Sequence, residues 1–339
     1  MKPTIYDIAK KTGFSAPSIS KVLNGKGSLS KANQELILKT AKELGYRPNL
    51  AARSLITKKS NMIGVIFNDP YYDQVYFHPV YNLILNRVRK NIAQLGYDLL
   101  YLSNTMNETG LSFADHCVLR NVDAVLLASS NCTIKDLDEM SKLDIPCISL
   151  NDMHPGLVSI TTDNIKAGFD VTEYLIKQGH TDIAFFDVLF DYEKSYCSRD
   201  RKQGYYNALD KYNIKKSYIQ KVELWDEQSG YNAIEDLLKY DNNVTAVFTS
   251  SDRIAMGVYE YCKDHNVRIP EDLSIIGFDD NDGSKFTSPK LTTVAHGIDE
   301  TIAKTIEVLI GKIEGKYECE EEIKITSQLV IRESVKKRN

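Results

Sequence analysis

The sequence predicts a small all-α unit at the N-terminus, followed by an α/β core built from two parallel-sheet subdomains. Three observations support this fold class. The 339 residues are too many for one hydrophobic core of ordinary size. The first sixty residues are strongly basic, whereas the remainder is acidic. From residue 61 onwards, short apolar runs alternate with amphipathic segments, a pattern typical of parallel sheets covered by helices.

The charge distribution indicates a polyanionic partner. Residues 1–60 contain twelve Lys and Arg and three acidic residues, a net charge of +9. Residues 61–339 carry the opposite balance, a net charge of −13. A concentrated basic surface is the electrostatic footprint of nucleic-acid binding, so one end of the chain is expected to contact a polyanion.

Three short helical patterns fill residues 1–46. The first ends at Gly13, and the second begins at Ser15, a good N-cap, with Pro17 in its first turn, where a missing N–H costs nothing. The third runs from about Ser30, also a cap, to a stop at Gly45. The apolar positions of these helices are enough for a miniature core.

The spacing of Ala9 and Gly13 fits the close crossing of a helix-turn-helix motif. In that motif the second helix enters the major groove with its N-terminal residues on base edges. The residues in this position are Ser15, Ala16, Pro17, Ser18 and Lys21. Ala16 and Pro17 could contact thymine methyl groups but could not form a bidentate hydrogen bond. The alternative is a three-helix bundle with a solvated basic face.

Two segments resemble a known family. TIYDIAKKTGFSAPSISKVLN (4–24) is similar to the opening signature of the LacI/GalR family of bacterial transcription regulators, and LGYRPNLAARSL (44–55) resembles the family's hinge. The rest of the chain resembles the family's effector-binding core almost to its end. The resemblance implies a homodimer that binds a double-stranded DNA operator, with Thr4, Tyr6 and Asn24 among the DNA contacts.

The hinge, at residues 47–60, contains a helix of about seven residues that would be marginal alone in water. The resemblance implies that two such helices of a dimer pair in the minor groove of the operator. Leu55 would wedge into the central base step, while Asn49, Ala52 and Arg53 would lie along the groove. The alternative is an ordinary linker helix.

The core contains seven strand candidates. They are MIGVIF (62–67), YDLLYL (97–102), DAVLLA (123–128), PCISL (146–150), DIAFF (182–186), TAVFTS (245–250) and LSIIG (273–277). Two halves, beginning near residues 61 and 163, predict internal structural duplication with a ligand cleft between them.

The resemblance implies that these halves are two subdomains of the periplasmic-binding-protein type. The first is expected to comprise about residues 61–161 and 291–320. The second is expected to comprise about residues 162–290 and 321–339.

Polar residues follow several of the predicted strands and are expected to line the cleft. The strand-end candidates are Asn68, Asp69, Asn151, Ser251, Asp252 and Asp279. The resemblance implies Arg199 as the effector arginine, Arg201 as a more structural one, and Trp225 as an aromatic that stacks on sugar. Arginine, carboxylates and an aromatic platform suit a polyhydroxylated ligand. Each strand-end acid could instead simply cap a helix.

Two of these positions depart from the family pattern. Many members carry an aspartate where this chain has Asn151, and sugar-responsive members often carry an asparagine where it has Ser251. The cleft is expected, but the identity of its ligand stays open.

An enzyme is not expected. The chain contains no G-x-G-x-x-G after a strand, no phosphate-binding G-x-x-x-x-G-K-[ST], no H-E-x-x-H and no G-x-S-x-G. The acidic FDDNDG at 278–283 fails the EF-hand template, because Pro289 falls where the terminal glutamate belongs. No catalytic residue, cofactor or metal ligand is therefore predicted.

The expected function is that of a ligand-responsive repressor of a carbohydrate uptake or utilisation operon. A purine- or nucleoside-responsive corepressor-type regulator stays open. A sugar-binding transport protein is the rival class. The basic N-terminal region and the lack of a signal-peptide core argue against that rival, and they predict a cytoplasmic protein.

A homodimer is expected rather than a tail-linked tetramer. The resemblance implies that members pair through the helix around Tyr81, Leu85 and Val88. The C-terminal ESVKKRN contains no leucine heptads that could join two dimers.

Overall fold

The computed structural model describes residues 3–47, 54, 59–68, 78–102, 110–130, 132–151, 153–189, 196–241, 243–317 and 321–338. The chain divides into two units between Ser60 and Asn61. No helix in these ranges is long and apolar enough to cross a membrane.

The first unit contains helices α1 (Ile5–Thr12), α2 (Ala16–Leu23) and α3 (Lys31–Glu43). Its core is formed by Ile8, Ile19 and Ile37, one from each helix, all without solvent exposure. Gly13 adopts the left-handed conformation (φ +74°) that ends α1, as a helix-turn-helix requires. The predicted all-α helix-turn-helix unit is confirmed.

The first subdomain of the second unit contains a six-stranded parallel sheet. Its strands are β1 (Met62–Asn68), β2 (Asp98–Tyr101), β3 (Ala124–Ser130), β4 (Cys147–Leu150), β5 (Val158–Thr162) and β11 (Glu322–Ile325). Their spatial order is β11-β5-β4-β3-β1-β2. The helices of this subdomain are α4 (Pro79–Gln94), α5 (Phe113–Arg120), α6 (Ile134–Ser141) and α11 (Ile298–Ile313).

The second subdomain contains a four-stranded parallel sheet with the order β7-β6-β8-β9. The strands are β6 (Ile183–Val188), β7 (Tyr218–Val222), β8 (Ala246–Thr249) and β9 (Ser274–Ile276). A two-stranded antiparallel ribbon, β10 (Thr293–Ala295) with β12 (Gln328–Val330), lies beside β9 through a bridge between Ile276 and Thr292. The helices are α7 (Asn164–Lys177), α8 (Cys197–Lys211), α9 (Glu227–Tyr240) and α10 (Asp252–Asp264).

Two helix pairs in the second subdomain touch backbone to backbone through glycine. A Cβ atom on Gly168 of α7 would lie 2.1 Å from the Arg201 carbonyl oxygen in α8, and one on Gly204 would lie 2.1 Å from the Ile165 carbonyl oxygen. Gly230 and Gly257 make the same kind of contact between α9 and α10, at 2.2 and 1.8 Å from the facing carbonyl oxygens. No larger residue fits at these four positions without moving a helix.

Among the described residues the chain crosses between the subdomains three times. The first crossing follows Thr162 at the end of β5, the second joins β10 to α11, and the third joins β11 to β12. The expected boundaries at 291 and 321 are corrected. Residues 291–295 belong to the second subdomain, because the Gly277 and Asp279 amides bond to the carbonyls of Thr292 and Val294. Residues 322–325 belong to the first, because β11 pairs with β5.

The helix expected to pair in the dimer is α4. Its Tyr81, Leu85 and Val88 are at most 7% exposed and form part of the core of the first subdomain. On α4 the large apolar residue that faces solvent is Leu83, which is 39% exposed. A dimer contact through α4 would have to use this solvent-facing side, and the contact stays a prediction.

Candidate DNA-binding surface and effector cleft

The DNA contacts predicted in the first unit lie on α1 and α2 and at their ends. Thr4 precedes α1, where its amide and its hydroxyl each donate to the Asp7 carboxylate at 2.8 Å. These two hydrogen bonds lower the pKa of Asp7. Tyr6 is 73% exposed, so its ring is available to a partner.

The first turn of α2 presents small side chains at its surface. The Ser15 hydroxyl accepts from the Ser18 amide at 3.4 Å and lies 2.9 Å from the Ser18 hydroxyl, so the two serines satisfy each other. Pro17 is exposed, and Ala16 is partly exposed between the two serines. Lys21 is exposed one turn later and is the cation nearest to this turn on α2.

Asn24 closes the last turn of α2, where its side-chain amide donates to the Ser20 carbonyl at 2.8 Å. The predicted hinge contacts Asn49, Ala52, Arg53 and Leu55 lie outside the described residues, as does the predicted cleft residue Asp69.

In the core, Arg201 is a buried arginine held at the ends of two strands. Its side chain is 4% exposed. Nε donates to Asn164 Oδ1 at 2.9 Å, Nη1 donates to the Ser250 carbonyl, and the guanidinium lies 3.4 Å above the centre of the Phe278 ring. Nη2 donates to none of the described residues. The guanidinium is therefore held in place at Nε and Nη1, and its Nη2 has no described hydrogen-bond partner.

Burial lowers the pKa of Arg201, whereas neighbouring groups that include Asp279 and Tyr81 act in the opposite direction. Arginine keeps its charge in proteins because its ordinary pKa lies above 12. Arg201 thus brings a positive charge close to one residue of each subdomain.

Arg199 lies differently. Its guanidinium bonds to the adjacent Asp200 at 3.3 Å and lies 3.8 Å above the centre of the Tyr196 ring, and its side chain is 42% exposed. Arg201 has the fixed position and an Nη2 without a described hydrogen-bond partner, whereas Arg199 has neither, and the effector role expected for Arg199 stays a prediction. The helical spacing of Ser198, Arg201 and Tyr205 is a signal that could have identified the inward face of α8.

A buried polar network holds the start of α8 in place. The Ser198 hydroxyl donates to Asp187 at 2.9 Å, accepts from the Val188 amide at 2.9 Å and lies 3.1 Å from the Ser250 hydroxyl. Lys202 forms a salt bridge with Asp187, which is 2% exposed. This network ties α8 to the ends of β6 and β8 and so positions Arg201.

Asp279 follows β9 and is partly exposed, with 22% of its side chain accessible to solvent. Its backbone is in the left-handed region (φ +117°), and its amide bonds to the Val294 carbonyl at 2.9 Å. Oδ1 lies 3.0 Å from His296 Nε2, and Oδ2 bonds to no described residue. One carboxylate oxygen is therefore open.

Ser251 and Asp252 are buried, and their side chains form hydrogen bonds that hold neighbouring segments of the second subdomain in place. The Ser251 hydroxyl caps α10 by accepting from the Ile254 amide at 3.3 Å. Asp252 accepts from the Asn281 amide at 2.9 Å and from the Thr293 hydroxyl. Burial, reinforced by the charge of Asp279, raises the pKa of Asp252 well above its usual range. Both residues support the segment that carries Asp279.

Trp225 lies in the segment between β7 and α9, half-buried against the core of the second subdomain. It is the only tryptophan of the chain.

In the first subdomain, Asn68 is the last residue of β1 and pairs with Ser130 of β3. Asn151 follows β4 in the left-handed conformation (φ +76°), and its amide donates to the Tyr81 hydroxyl at 2.8 Å. That hydroxyl donates in turn to the Leu150 carbonyl at 3.3 Å. In this arrangement the asparagine amide donates to Tyr81, whereas an aspartate at position 151 could only accept from it.

An aromatic group accompanies Asn151, and the sequence reasoning did not identify it. The ring of Tyr81 lies 4.6 Å from that of His78 and 6.2 Å from that of Phe67, all three in edge-to-face arrangements. Phe67 and His78 are partly exposed. In the described parts of the chain, no group of three or more His, Cys, Asp or Glu residues is placed to bind a metal.

Comparison with known proteins agrees with this division. Residues 4–49 match the family model described as "Bacterial regulatory proteins, lacI family", and residues 172–335 match "Periplasmic binding protein-like domain". Catabolite control protein A of Priestia megaterium is 30% identical over 303 residues, 87% of each chain. The regulator RegA of Clostridium saccharobutylicum is 30% identical over 342 residues, 98% of this chain and 99% of the relative.

The chain belongs to the LacI family. It is a ligand-responsive DNA-binding transcriptional repressor of that family. The lacI-family match spans every DNA contact predicted on α1 and α2, and the binding-protein-like match spans Arg201, Trp225 and Asp279.

Solved structures of LacI-family proteins share the fold. The Lac repressor dimer bound to operator and the anti-inducer ONPF has a TM-score of 0.81 at 21% identity, over 99% of this chain and 100% of that one. A complex of the regulator CelR with cellobiose has a TM-score of 0.71 at 23% identity, over 98% and 99%. The HTH-type transcriptional repressor PurR of Pasteurella multocida is 29% identical over 346 residues, 99% of each chain.

Proposed function

We propose that the effector of this repressor is a neutral polyhydroxylated molecule, a sugar, and that the protein regulates a carbohydrate uptake or utilisation operon. The single observation that carries this proposal is that Arg201, fixed through Nε and Nη1, lies close enough to Asp279 for the carboxylate to act on its pKa, so that a donor and an acceptor are near one another. Vicinal hydroxyls donate and accept at once, so a sugar matches a donor and an acceptor presented side by side.

The charges of the cleft favour a neutral ligand over a phosphorylated one. The Asp280 carboxylate is neutralised by Arg332, and that of Asp187 by Lys202. Among the described residues, the buried positive charge of Arg201 is close enough to Asp279 for the carboxylate to act on its pKa. A phosphate bound at Arg201 would therefore meet a carboxylate, and like charges at contact distance repel.

The aromatic group of Phe67, His78 and Tyr81 supports the same class of ligand and keeps one alternative. Aromatic faces stack on the apolar faces of sugar rings, and they also stack on purines. Solved LacI-family structures contain cellobiose or ribose, whereas a similar curated repressor is named for purine regulation. A purine or nucleoside corepressor is thus the second candidate.

The regulation we propose is a coupling free energy between the cleft and the DNA-binding unit of a homodimer in the cytoplasm. Ligand closing the cleft would move the subdomains about the three crossings and so change the support given to residues 47–60. An inducer would weaken operator binding and a corepressor would strengthen it.

The test is a titration followed by the fluorescence of Trp225, whose emission reports only on that site because no other tryptophan is present. The panel contains neutral sugars, sugar phosphates, nucleosides and purines. A ligand at 100 times its Kd also raises the unfolding free energy of the core by about 2.7 kcal/mol.

Arg201→Lys and Arg199→Ala form a matched pair of variants. Loss of a neutral sugar's binding in Arg201→Lys, with binding retained in Arg199→Ala, is the expected result. Preferential binding of a sugar phosphate or a purine would contradict the neutral-sugar assignment. The reverse response of the two variants would return the effector role to Arg199.

A further inference from the structure

His296 joins the two subdomains through its ring. It lies at the second crossing, between β10 and α11. Nδ1 is 2.8 Å from the hydroxyl of Thr162, the last residue of β5, and Nε2 is 3.0 Å from Asp279 Oδ1. The ring packs edge-on against Phe278 at 5.2 Å, and its side chain is 11% exposed. Both ring nitrogens therefore form hydrogen bonds, one with a residue of each subdomain.

The chemistry of the partners fixes the direction of these hydrogen bonds. A carboxylate oxygen only accepts, so Nε2 carries the proton and donates to Asp279. In the neutral ring Nδ1 then accepts from the Thr162 hydroxyl. The result is a directed chain from Thr162 through His296 to Asp279, which occupies Oδ1 and leaves Oδ2 without a described hydrogen-bond partner.

The crossings around this chain are packed against one another. The Asp163 amide, at the first crossing, donates to the Ile325 carbonyl, at the third, at 2.9 Å. A Cβ on Gly297, at the second crossing, would lie 2.5 Å from the Thr326 carbonyl oxygen. Relative motion of the subdomains must therefore alter all three crossings together, including the separation of Thr162 from Asp279.

We propose that His296 is a positioning residue that orients Asp279 for the effector and transmits the state of Asp279 to Thr162 at the first crossing. The part concerning the effector rests on the proposed function. The coupling of Thr162 to Asp279 is a property of the ligand-free chain. Coupling of this kind is carried by contiguous hydrogen-bonded groups and is measured by non-additivity of paired mutations.

The experiment is a double-mutant cycle on the full-length ligand-free protein. Thr162→Val removes the hydroxyl with little change of shape, and Asp279→Asn removes the charge. The two changes and their combination are made in the wild type, in His296→Leu and in His296→Gln. Urea unfolding measures the equilibrium constant of each.

In the wild-type background, the unfolding constant of the double variant should differ at least about twofold from the value expected if the two single effects were additive. The coupling should vanish with His296→Leu and survive with His296→Gln, whose terminal amide also carries one donor and one acceptor. Additive changes in the wild type, or coupling that persists with His296→Leu, would overturn the proposal.

Nitrogen NMR of the histidine-labelled protein gives an independent signature, with the His296 signals identified by their loss in His296→Leu. The expected signature is a proton held on Nε2. A neutral Nδ1–H tautomer, or averaging between the two neutral tautomers, would overturn the proposed hydrogen-bond chain from Thr162 to Asp279.

Failure here is distinguishable from failure of the sugar assignment. If the mutational effects are additive but the Trp225 fluorescence responds to a neutral sugar, the proposed role of His296 is refuted and the sugar assignment stands. If the effects are coupled but the protein binds no sugar of the panel, the sugar assignment is refuted and the proposed role of His296 stands.

Discussion

Protonation of one buried histidine should govern the acid stability of the core. His180 has no solvent exposure, and its ring lies between the Thr245 hydroxyl at 2.8 Å and the Lys336 carbonyl at 3.1 Å. Burial lowers the pKa of His180 to about 4 from its ordinary 6.5. The folded protein therefore holds the ring neutral at a pH where the unfolded chain protonates it.

The sign and the size of the effect follow from proton linkage. Above pH 6.5 the ring is neutral in both states, and stability does not depend on it. As the pH falls from 6.5 towards 4, only the unfolded chain takes up the proton, and stability is lost. At 1.36 kcal/mol per pKa unit, the loss amounts to roughly 2 kcal/mol near pH 5 and about 3 kcal/mol by pH 4.

Urea unfolding of the full-length chain near pH 7.5 and near pH 5 measures this loss. His180→Gln keeps a donor for the Lys336 carbonyl but does not titrate, so its stability should fall by roughly 2 kcal/mol less than that of the wild type. His265→Gln changes an exposed histidine and serves as the control. If wild type and His180→Gln lose equal stability, burial of His180 does not set the acid limit.

Three further outcomes are expected. Lys21→Ala should weaken operator binding in an anisotropy titration by about 1–3 kcal/mol if the lysine reads a base, whereas a uniform loss across operator variants would mean that it contacts phosphate. Leu55→Ala should reduce specific operator affinity without shifting the melting of the core, and unchanged affinity would exclude a minor-groove wedge. Asn151→Ala removes the donor to Tyr81 and should cost about 1 kcal/mol more unfolding free energy than the same change in a Tyr81→Phe background. An equal loss in both backgrounds would show that the bond contributes nothing.

The sequence predicted the elements whose signals are local. The three helices of the first unit have caps and apolar periodicity, and each of the seven predicted strands is present. Four of the five missed strands are short or lie at a sheet edge. β7 and β11 are edge strands with exposed or partly exposed positions, and β10 and β12 have three residues each. Too few side chains are buried in these four strands to leave a pattern. The fifth, β5, is fully buried, but three of its five residues are Ser or Thr, so it does not form an apolar run.

The candidate site was harder to predict because its geometry is set by tertiary contacts. Strand ends gave Asn151 and Asp279, since the carboxyl ends of parallel strands gather at one edge. The choice between Arg199 and Arg201 depended on the rotation of α8, which the backbone contact at Gly168 fixes. The role of His296 required the register of a ribbon that the sequence did not reveal.

The glycine contacts between helices have a mechanical consequence. Helices that meet backbone to backbone have no layer of side chains that could rearrange to absorb a displacement, so the second subdomain is stiff against internal shear. A ligand that displaces Asp279 or Arg201 on binding then displaces the whole second subdomain by about the same distance as that residue. Replacing Gly257 by alanine would force α9 and α10 apart, and the response at a distance should weaken although no residue in contact with ligand or DNA had changed.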